Sequence, residues 1–238
     1  MDLKDQRLNQ IIELVESSGK MSVNDLSDML NVTKETIRRD LSELEADKRI
    51  SRVHGAAIPF HSDSKELFYH RKLSVNLDNK REIAKRAAAL IESNDMIVVD
   101  GGTTTVHIPE FLNDIKGLKV VTNSLTFALK FNEALENGRV EGELIILPGM
   151  SYYHQNTVKG AVTLSYLQNC NFDKAFISCG GYTDEFVTEF DIDETEISKL
   201  MMKQSKRSYL LTDQSKYGKV RAFKIADIHE FDKVIMDK

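Results

Sequence analysis

Apolar residues in the first fifty positions recur with the period of an α-helix. The spacing i, i+3, i+4, i+7 predicts a first helix on Leu8, Ile11, Ile12 and Val15. Ser22 followed by Asp25 resembles a capping box, with Asp in place of Glu or Gln, and predicts the start of a second helix. Thr33 is placed to cap a third helix over residues 34–46. The hydrophobic pattern therefore predicts three short helices.

The third predicted helix has one apolar face and one polar, basic face. At about 100° per residue, a narrow arc that faces the core holds Ile37, Leu41 and Leu44. The opposite side carries Glu35, Arg38, Arg39 and Ser42. Guanidinium groups on the outer face of a third helix are typical of helix-turn-helix modules, in which that helix enters the major groove of DNA.

A short basic hairpin is predicted directly after these helices. Ile50 and Val53 can anchor its strands, which leaves Arg52 and His54 near the tip. Three short helices followed by such a hairpin, or wing, predict a winged helix-turn-helix DNA-binding domain over residues 1–60. The alternative is a three-helix module for protein contacts, with arginines that are only solvated.

The rest of the chain alternates between strand and helix patterns. Residues 61–79 are polar and predict a linker, with a short helix or strand near residues 67–69. An Ala-rich helix follows over residues 81–91. Strands are then predicted at 96–100, 118–122, 144–148, 174–180, 208–213 and 233–237, with helices from about 105 and near 125–136, 162–168 and 194–204. This alternation predicts an α/β domain with a mostly parallel sheet over residues 80–238.

Glycines and polar residues follow five of the predicted strands. Ligands of such sheets bind beyond the carboxyl ends of the strands, so these residues predict one pocket rim. The candidates are Asp100, Gly101, Gly102, Thr103, Thr104, Thr105, Asn123, Ser124, Gly149, Gly180, Gly181, Asp213 and Lys216. A Gly-Gly turn and a run of threonines before a helix also predict an anion cradle. The alternative there is a tight structural turn.

Three of these residues have simpler interpretations that stay open. Lys216 is either a ligand contact or an ordinary surface lysine. Asp213 is either a ligand contact or a turn and capping residue, and Asn123 is either a ligand contact or the cap of the helix that follows it. Spacing alone does not choose between the two roles in any of these cases.

Composition narrows the class of protein. The net charge is −5, and residues 1–60 carry nine Lys/Arg against eleven Asp/Glu, a balance of −2. A DNA contact must therefore depend on where the charges sit. The first ten residues are charged throughout, apolar runs are strand-sized, and the two cysteines have apolar neighbours. We expect a cytoplasmic protein without signal or membrane span. The six histidines show no metal-ligand spacing, so no metal or cofactor is expected.

The N-terminal residues resemble the signature of DeoR-family transcription regulators. The similarity rests on residues 33–44, TKETIRRDLSEL, followed by residues 52–57, RVHGAA. Two positions depart from the family pattern, because Lys48 and Ala56 stand where the family usually has glycine. The match spans essentially the whole N-terminal module.

The C-terminal residues resemble the sensor domain of the same family, which is similar in fold to ribose-5-phosphate isomerase. The matching segments are residues 100–104, DGGTT, residues 122–124, TNS, and residues 213–219, DQSKYGK. Gln214 replaces a usual His, and residues 147–150, LPGM, depart from a usual Gly-Gly pair. Phe68 and Arg71 match an aromatic and an arginine of the linker, and Glu194 is a weaker site candidate.

The resemblance implies that the third helix reads DNA. Arg38 or Arg39 is then expected to reach base edges or phosphates in the major groove. The next candidates for a DNA contact lie at the start of the helix, where phosphate is favoured, and they are Thr33, Lys34 and Thr36. Arg52 and His54 of the wing are expected at the backbone or minor groove. Asp40 is expected to hold a neighbouring arginine rather than to contact DNA.

For the sensor domain, the resemblance implies a phosphorylated sugar as effector. Residues 102–105 would bind the phosphate, Lys216 would supply countercharge, and Asp100, Asn123 and Asp213 would bind sugar hydroxyls. The predicted protein is a homo-oligomeric, non-enzymatic repressor of sugar uptake or catabolism genes, bound to a double-stranded DNA operator. Two alternatives stay open. One is a sugar-phosphate isomerase-like enzyme with an accessory head, and the other is a regulator that responds to a nucleotide or CoA.

Overall fold

The computed structural model describes residues 3–18, 20–47, 49–53, 55–59 and 69–237. They belong to two compact units, Met1–Leu67 and Phe68–Lys238. His54, Lys48 and residues 61–68 of the predicted linker, Phe68 among them, lie outside the described residues. Within the described ranges, no helix combines the length and apolar character needed to cross a membrane.

The N-terminal unit contains the three predicted helices and a three-stranded antiparallel sheet. Its elements are α1 (Leu3–Ser18), β1 (Met21–Ser22), α2 (Val23–Leu30), α3 (Lys34–Ala46), β2 (Ile50–Val53) and β3 (Ala56–Pro59). The predicted caps are confirmed: Ser22 and Asp25 form a reciprocal capping box, and the Thr33 side chain accepts the Thr36 N–H. The predicted wing is confirmed as the β2–β3 hairpin, to which β1 adds an unpredicted third strand.

Helical periodicity decides what the N-terminal unit buries. Ile37, Leu41 and Leu44 are at most 1% exposed, as their shared arc predicts. They pack with the apolar stripe of α1 and with Ile50 and Ala57 of the hairpin. The opposite face of α3 stays exposed, so the guanidinium groups on it remain available for contacts.

The C-terminal unit is built on a six-stranded sheet in which every neighbouring pair is parallel. The strand order is β14–β12–β9–β4–β5–β6. These strands are β4 (Met96–Val99), β5 (Ile115–Thr122), β6 (Val140–Ile146), β9 (Phe172–Ile177), β12 (Ser205–Leu211) and β14 (Lys233–Ile235). The predicted α/β class is thereby confirmed. The polar residues of the predicted strand ends, such as Asp100, lie just beyond the strands themselves.

Helices cover both faces of this sheet, because successive strand residues point to opposite sides. Ile97 and Val99 of β4 join one apolar cluster with α5 (Leu77–Ala88) and α6 (Leu125–Glu136). Val98 joins a second cluster with α7 (Ala161–Leu167) and α8 (Ile192–Lys203). A short helix, α4 (Tyr69–Ser74), precedes α5 where the sequence predicts a linker.

Three features differ from the sequence prediction. A hairpin of β7 (Met150–Tyr152) and β8 (Thr157–Lys159) and a second antiparallel sheet of β10 (Gly181–Tyr182), β11 (Phe186–Glu189) and β13 (Phe223–Asp227) were not predicted. Such short strands leave too little alternation in a sequence to detect. The helix predicted from about Thr105 is a 3-10 helix, Thr105–Phe111, with Pro109 inside it.

Candidate functional site

The N-terminal end of α3 carries three of the predicted DNA contacts. The Thr33 hydroxyl accepts the Thr36 N–H at 3.2 Å and lies 2.9 Å from the Thr36 hydroxyl. This arrangement fixes the first turn of the helix. Lys34 is exposed beside it. An exposed helix N-terminus with a lysine beside it is suited to bind a phosphate oxygen.

The exposed face of α3 and the wing form one polar surface. Arg38 pairs with Glu35 at 3.2 Å, with 54% of its side chain exposed. The Ser42 hydroxyl donates to the Arg38 carbonyl oxygen at 2.8 Å and lies 3.0 Å from an Nη of Arg52, which donates to it. The wing arginine is thereby held against the helix one turn from Arg38. Arg39 is exposed and, among the described residues, forms no ion pair.

Asp40 faces the interior instead of this surface. It is 1% exposed, and its carboxylate accepts hydrogen bonds from Arg7 of α1. It therefore holds an arginine, but the arginine comes from another helix and not from α3. Of the guanidinium groups of α3, that of Arg38 pairs with the exposed Glu35, and that of Arg39 forms no ion pair among the described residues.

In the C-terminal unit, the turn after β4 is tightly organised by its own atoms. The Gly102 N–H is 3.1 Å from the Asp100 carbonyl oxygen and 3.0 Å from the Thr105 hydroxyl. That hydroxyl in turn lies 3.0 Å from the carbonyl oxygens of Asp100 and Gly102. The Thr105 hydroxyl thus stabilises the turn, whereas the sequence assigns it to a phosphate. The Thr104 hydroxyl is fully buried and has no partner in the described structure.

Two glycines of this turn are required by close packing. A Cβ on Gly101 would lie 2.1 Å from Cγ2 of Thr157, and one on Gly102 would lie 2.3 Å from the Ser178 hydroxyl. Such distances are shorter than any van der Waals contact between these atoms. The turn therefore approaches β8 and the end of β9 more closely than any side chain would permit.

A small pocket opens beside the turn, at the carboxyl ends of the central strands. It is lined by Asp100, Gly101, Asn123, Ser178, Glu189, Glu194 and Ser198. The strand order explains part of this set, since Asp100 follows β4, Asn123 follows its neighbour β5, and Ser178 follows its other neighbour β9. The pocket volume of about 20 Å³ has room for about one water molecule.

Two acceptor atoms in this pocket are buried, and neither has a hydrogen-bond partner in the part of the chain that the structure describes. One Asp100 oxygen accepts the Ser178 N–H at 2.8 Å, while Oδ1 of Asp100 and Oδ1 of Asn123 have none among the described atoms. Burial raises the pKa of the Asp100 carboxyl to about 7, although the Ser178 hydrogen bond opposes the shift. Buried acceptors without donors carry a free-energy cost, so this pocket is suited to a ligand that donates hydrogen bonds.

A second polar group lies around the turn that follows β12. The Asp213 carboxylate accepts from the Ser215 N–H at 3.0 Å and from the Asn76 amide at 3.4 Å. Burial alone would raise the pKa of Asp213, but the Ser215 bonds and nearby lysines hold it below its usual range. The Lys216 ammonium donates to the Cys179 carbonyl oxygen at 2.6 Å. Lys80 of α5, 3% exposed, belongs to the same neighbourhood.

Comparison with known proteins places both units in one family. Residues 7–63 match the family model of the DeoR-like helix-turn-helix domain, and residues 75–238 match that of the DeoR C-terminal sensor domain. The chain belongs to the DeoR family of transcriptional regulators. The resemblance in the sequence motifs is thereby confirmed, and the DeoR-family chain is a regulator with a DNA-binding helix-turn-helix.

Curated relatives agree with this assignment over nearly the full chain. An uncharacterized HTH-type transcriptional regulator of Staphylococcus epidermidis is 45% identical over 90% of this chain and 84% of its own length. The regulator GolR of Listeria innocua is 31% identical over 98% of this chain and 90% of its own. A lactose phosphotransferase system repressor of S. epidermidis is 31% identical over 98% and 92%.

Solved structures show more distant likeness. The sorbitol operon regulator SorC of Klebsiella pneumoniae overlaps 100% of this DeoR-family chain and 97% of its own, with 12% identity and a TM-score of 0.42. A ribose 5-phosphate isomerase of Methanocaldococcus jannaschii overlaps 60% of this chain, with 14% identity and a TM-score of 0.41. That overlap spans about half of the isomerase, 55% of its chain.

The structure brings some predicted effector residues of the DeoR-family chain together and separates others. Asp100, Gly101 and Asn123 share the pocket, and Thr103 and Thr104 are buried beside it. Ser124 instead caps α6 by accepting the Phe127 N–H at 3.2 Å. Asp213 and Lys216 belong to the second polar group and do not line the pocket. Asn123 is not the α6 cap, so that alternative is wrong.

The remaining predicted glycines have packing roles. Gly149, with φ of 155°, leaves no space for a Cβ, which would lie 2.2 Å from the Thr163 hydroxyl. A Cβ on Gly181 would lie 2.0 Å from the Lys219 carbonyl oxygen, and one on Gly180 would meet Glu189 and Phe190 at 2.8 Å. None of the three lines the pocket.

Several polar residues of the two groups are not signalled by the sequence. Ser178 directly follows β9 and lies inside the predicted strand 174–180, two residues before Gly180, so a search one or two residues before each predicted strand end would find it. Glu189 ends β11 of the unpredicted sheet, and Ser198 lies within α8. Lys80 sits in the charged first turns of α5, where a solvated lysine is expected. Only the tertiary structure brings these residues to the site.

Proposed function

We propose that this regulator is a repressor of sugar uptake or catabolism genes, controlled by a phosphorylated sugar bound to its C-terminal unit. The observation that carries the proposal is the pair of buried acceptors, Oδ1 of Asp100 and Oδ1 of Asn123, that face one pocket without a donor in the described structure. The sugar class is also supported by a relative named as a lactose phosphotransferase system repressor.

The DNA operator is proposed to be read by the exposed face of α3 and by the wing. Arg38 and Arg39, which are exposed on that face, are proposed to reach base edges or phosphates in the major groove. Thr33, Lys34 and Thr36 at the start of α3 are proposed to bind phosphate. Arg52, held beside Arg38 by Ser42, is proposed to contact the backbone or minor groove. His54, outside the described residues, remains a prediction from the sequence.

The effector is proposed to place hydroxyl groups against Asp100 and Asn123. The ionised Asp100 carboxylate and the Asn123 amide oxygen only accept hydrogen bonds, so a partner of this form must donate. Sugar hydroxyls meet this need. The phosphate is proposed to lie towards residues 102–104, whose amides are near the start of the 3-10 helix, with Lys216 as countercharge. The Thr105 hydroxyl is left out of this proposal, because it stabilises the turn.

Regulation follows from the size of the pocket. A volume of about 20 Å³ holds about one water molecule, so we propose that the sugar phosphate binds a second, more open arrangement of the pocket. A ligand that binds one arrangement better than the other shifts the balance between them. In a two-fold homo-oligomer, such a shift changes how two reading helices fit half-sites about one DNA turn apart, or a multiple of it.

The proposal is tested with the full chain and its own operator. A duplex selected from a random library supplies the operator, and fluorescence anisotropy measures its affinity with and without pentose and hexose monophosphates, their parent sugars, nucleotides and CoA. We expect one sugar monophosphate to change the Kd for DNA at least about tenfold, or 1.4 kcal/mol, while its parent sugar does not. A response only to a nucleotide or CoA, or turnover of a sugar phosphate, would contradict the proposal.

A further inference from the structure

Strand β6 lies at an open end of the parallel sheet. It is the last strand in the sheet order and, among the described strands, it pairs only with β5. The Leu147 N–H donates to the Thr122 carbonyl oxygen at the end of β5 at 2.9 Å. Alternate residues of a strand direct their backbone groups to opposite sides, so Leu144 and Ile146 direct their N–H and C=O groups away from β5. A row of backbone donors and acceptors therefore faces outward along this edge.

The chain that begins at this edge carries almost no charge. Residues 144–172 contain a single Asp, Glu, Lys or Arg, which is Lys159, although 29% of the whole chain is charged. Lys159 pairs within the chain, with Asp191 at 2.7 Å and Asp193 at 3.4 Å. Its ammonium group also lies 3.9 Å from the centre of the Tyr152 ring. The surface of this segment is therefore neutral, whereas solvated protein surfaces normally hold many charged residues.

Exposed apolar side chains gather on the same segment. Of the twelve large apolar residues that are exposed in the described part of the chain, five belong to residues 144–172, and they are Ile146, Met150, Tyr153, Val162 and Tyr166. The Thr163 hydroxyl in the first turn of α7 donates to the Pro148 carbonyl oxygen just before β7 at 2.8 Å. The start of α7 therefore lies against the start of β7. We call β6, β7 and the exposed side of α7 the β6 face.

The β6 face has the size and the composition of a protein–protein interface. Apart from Leu147, Thr163 and Leu167, every residue of 141–154 and 161–169 is exposed or half-exposed. A standard interface takes ~20–30 residues from each partner. The centres of interfaces are poor in charge and rich in tyrosine and methionine, as this face is. Folded proteins normally protect an open edge strand with charge, proline or a covering element, and a partner strand supplies such a cover.

The charges along β6 favour a second copy of this chain as the partner. Across a two-fold axis a surface meets itself, so a patch with charges of one sign would repel its copy. Antiparallel pairing of two β6 strands, centred on Leu144 or Ile145, places Glu143 opposite an apolar residue of the other copy and not opposite a glutamate. Glu143 also has Lys119 of β5 beside it, at 3.6 Å. The β6 face is therefore complementary to itself in charge and in backbone hydrogen bonding.

We infer that two copies of this chain associate through the β6 face, with their β6 strands paired antiparallel and with Met150, Val162 and Tyr166 in the apolar contact. The inference rests on the proposed function for the expectation of a homo-oligomer, but the face itself is identified from the C-terminal unit alone. The hairpin that carries Met150 returns through β8, where the Val158 N–H donates to the Asn123 carbonyl oxygen at 2.7 Å. The interface and the pocket thus share one hairpin.

The test is analytical ultracentrifugation of the full chain over a range of concentrations. We expect the wild type to form a dimer or a larger assembly with an even number of copies. Val162→Lys would bury an ammonium group in the contact, so it should raise the dissociation constant of the assembly at least about tenfold. The matched control is Val220→Lys. Val220 is as exposed as Val162, 58% against 60%, and lies before β13, outside the β6 face, so this variant should sediment as wild type.

Ile146→Pro tests the backbone pairing. Proline removes an N–H but is tolerated on an edge strand whose N–H faces outward, so this variant should fold, as circular dichroism would verify, and should assemble more weakly than wild type. If it does not fold, Val162→Lys decides. Hydrogen exchange of the Leu144 amide gives an independent readout. We expect this amide to exchange at least about tenfold more slowly in the assembled wild type than in dissociated Val162→Lys.

Three results would overturn the inference. They are a wild type that is monomeric at every concentration, assembly of wild-type strength in both variants, and equal exchange of the Leu144 amide in the assembled wild type and in dissociated Val162→Lys. In the first case the β6 face is either solvated or covered by a different protein.

Failure of the proposed function gives a different result. If Val162→Lys dissociates while no sugar phosphate changes the DNA affinity of the wild type, the interface stands and the sugar effector does not. If a sugar phosphate changes DNA affinity while both variants assemble as the wild type does, the effector stands and this interface does not.

Discussion

The guanidinium group of Arg7 in α1 donates two hydrogen bonds to the Asp40 carboxylate in α3, at 2.6 Å from Nε and 3.2 Å from Nη2. Asp40 is 1% exposed and Arg7 is mostly buried. Charge-assisted, bidentate pairs of this kind are the stronger hydrogen bonds of proteins. The pair fixes α3 against α1, and we propose that it orients the DNA-reading helix without contacting DNA itself.

Loss of Arg7 should destabilise the N-terminal unit. Arg7→Ala leaves the Asp40 carboxylate buried without its partner, and we expect a loss of about 3 kcal/mol in the free energy of unfolding of that unit. Urea denaturation, followed by circular dichroism, measures it as a lower midpoint of one transition. The matched control is Lys4→Ala, which removes an exposed pair between the same two helices, Lys4 with Glu43. Equal midpoints for both variants would contradict the structural role of the Arg7–Asp40 pair.

The two arginines on the outer face of α3 should contribute to operator affinity. Arg38→Ala and Arg39→Ala are each expected to weaken binding by about 1–3 kcal/mol if they contact bases, because the lost hydrogen bonds are specific to the correct sequence. Anisotropy titrations at several salt concentrations measure this. A phosphate contact would instead reduce the salt slope by about 1 and weaken binding to all sequences alike.

Glu35 offers a second readout on the same helix. Its carboxylate is 76% exposed and pairs with Arg38. Near the DNA phosphates this negative charge is unfavourable, so Glu35→Gln should tighten DNA binding and free Arg38. Glu13→Gln serves as the control for the general loss of one negative charge, since Glu13 is an exposed residue of α1. Unchanged affinity in both arginine variants would remove α3 from the DNA interface.

Local patterns in the sequence are sufficient to predict the fold of the N-terminal unit and some of the residues that line the pocket. The arc of Ile37, Leu41 and Leu44 predicts which face of α3 is buried, because helical periodicity is local. Asp100 and Asn123 are correctly expected at one rim, because neighbouring parallel strands end at the same edge. Sequence alone does not predict strand order, and so it does not place Ser178 on the other side of Asp100.

The remaining site residues depend on contacts that are distant in the sequence. Glu189 reaches the pocket through the antiparallel sheet of β10, β11 and β13, whose pairing no local pattern reveals. Lys80 is buried, and its ammonium group donates to a carbonyl oxygen of α4, whereas a lysine on a helix is normally solvated. For the Thr105 hydroxyl, the sequence motif predicts a ligand contact, but in the structure this hydroxyl donates to backbone carbonyl oxygens of its own turn.

A methyl group at Gly101 should disrupt the effector response selectively. In Gly101→Ala the new Cβ would lie 2.1 Å from Cγ2 of the fully buried Thr157, whose hydroxyl donates to Glu194 at 3.0 Å. Relief of this overlap must displace the pocket wall. We expect a loss of about 1–3 kcal/mol in the stability of the C-terminal unit and no change of DNA affinity on addition of effector.

The control for this variant is another glycine whose substitution strains the backbone but not the pocket. Gly138 has φ of 68°, and a Cβ added there would meet no atom within 4 Å, so Gly138→Ala should destabilise the unit and keep the effector response. Loss of the response in Gly138→Ala as well would mean that stability, and not the shape of the pocket, decides it.

Replacement of Asp100 should change stability in a pH-dependent way. Burial raises the pKa of this carboxyl from 3.8 to about 7, so between these values the folded chain holds a proton that the unfolded chain has released. The free energy of unfolding therefore falls as pH rises from about 4 to 7, and stays lower above pH 7. Asp100→Asn, which is always neutral, should be as stable as wild type near pH 4 and more stable at pH 8, by up to about 4 kcal/mol.

Thermal denaturation of Asp100→Asn and wild type at pH 4.5 and pH 8 checks whether the variant is the more stable protein at the higher pH. Asp173→Asn is the control, and its stability at pH 8 is expected to change in the opposite direction. The hydrogen bond from Lys206 holds the pKa of Asp173 below its usual range, so its ionised form stabilises the folded chain and Asp173→Asn should lower the Tm at pH 8. The gain from Asp100→Asn should also cost function, because an amide nitrogen in place of Oδ1 donates where the proposed sugar hydroxyl donates too. Asp100→Asn that is less stable than wild type at pH 8 would contradict the cost of burying the Asp100 carboxylate. Asp100→Asn that keeps the full effector response would contradict a role of this carboxylate in binding the effector.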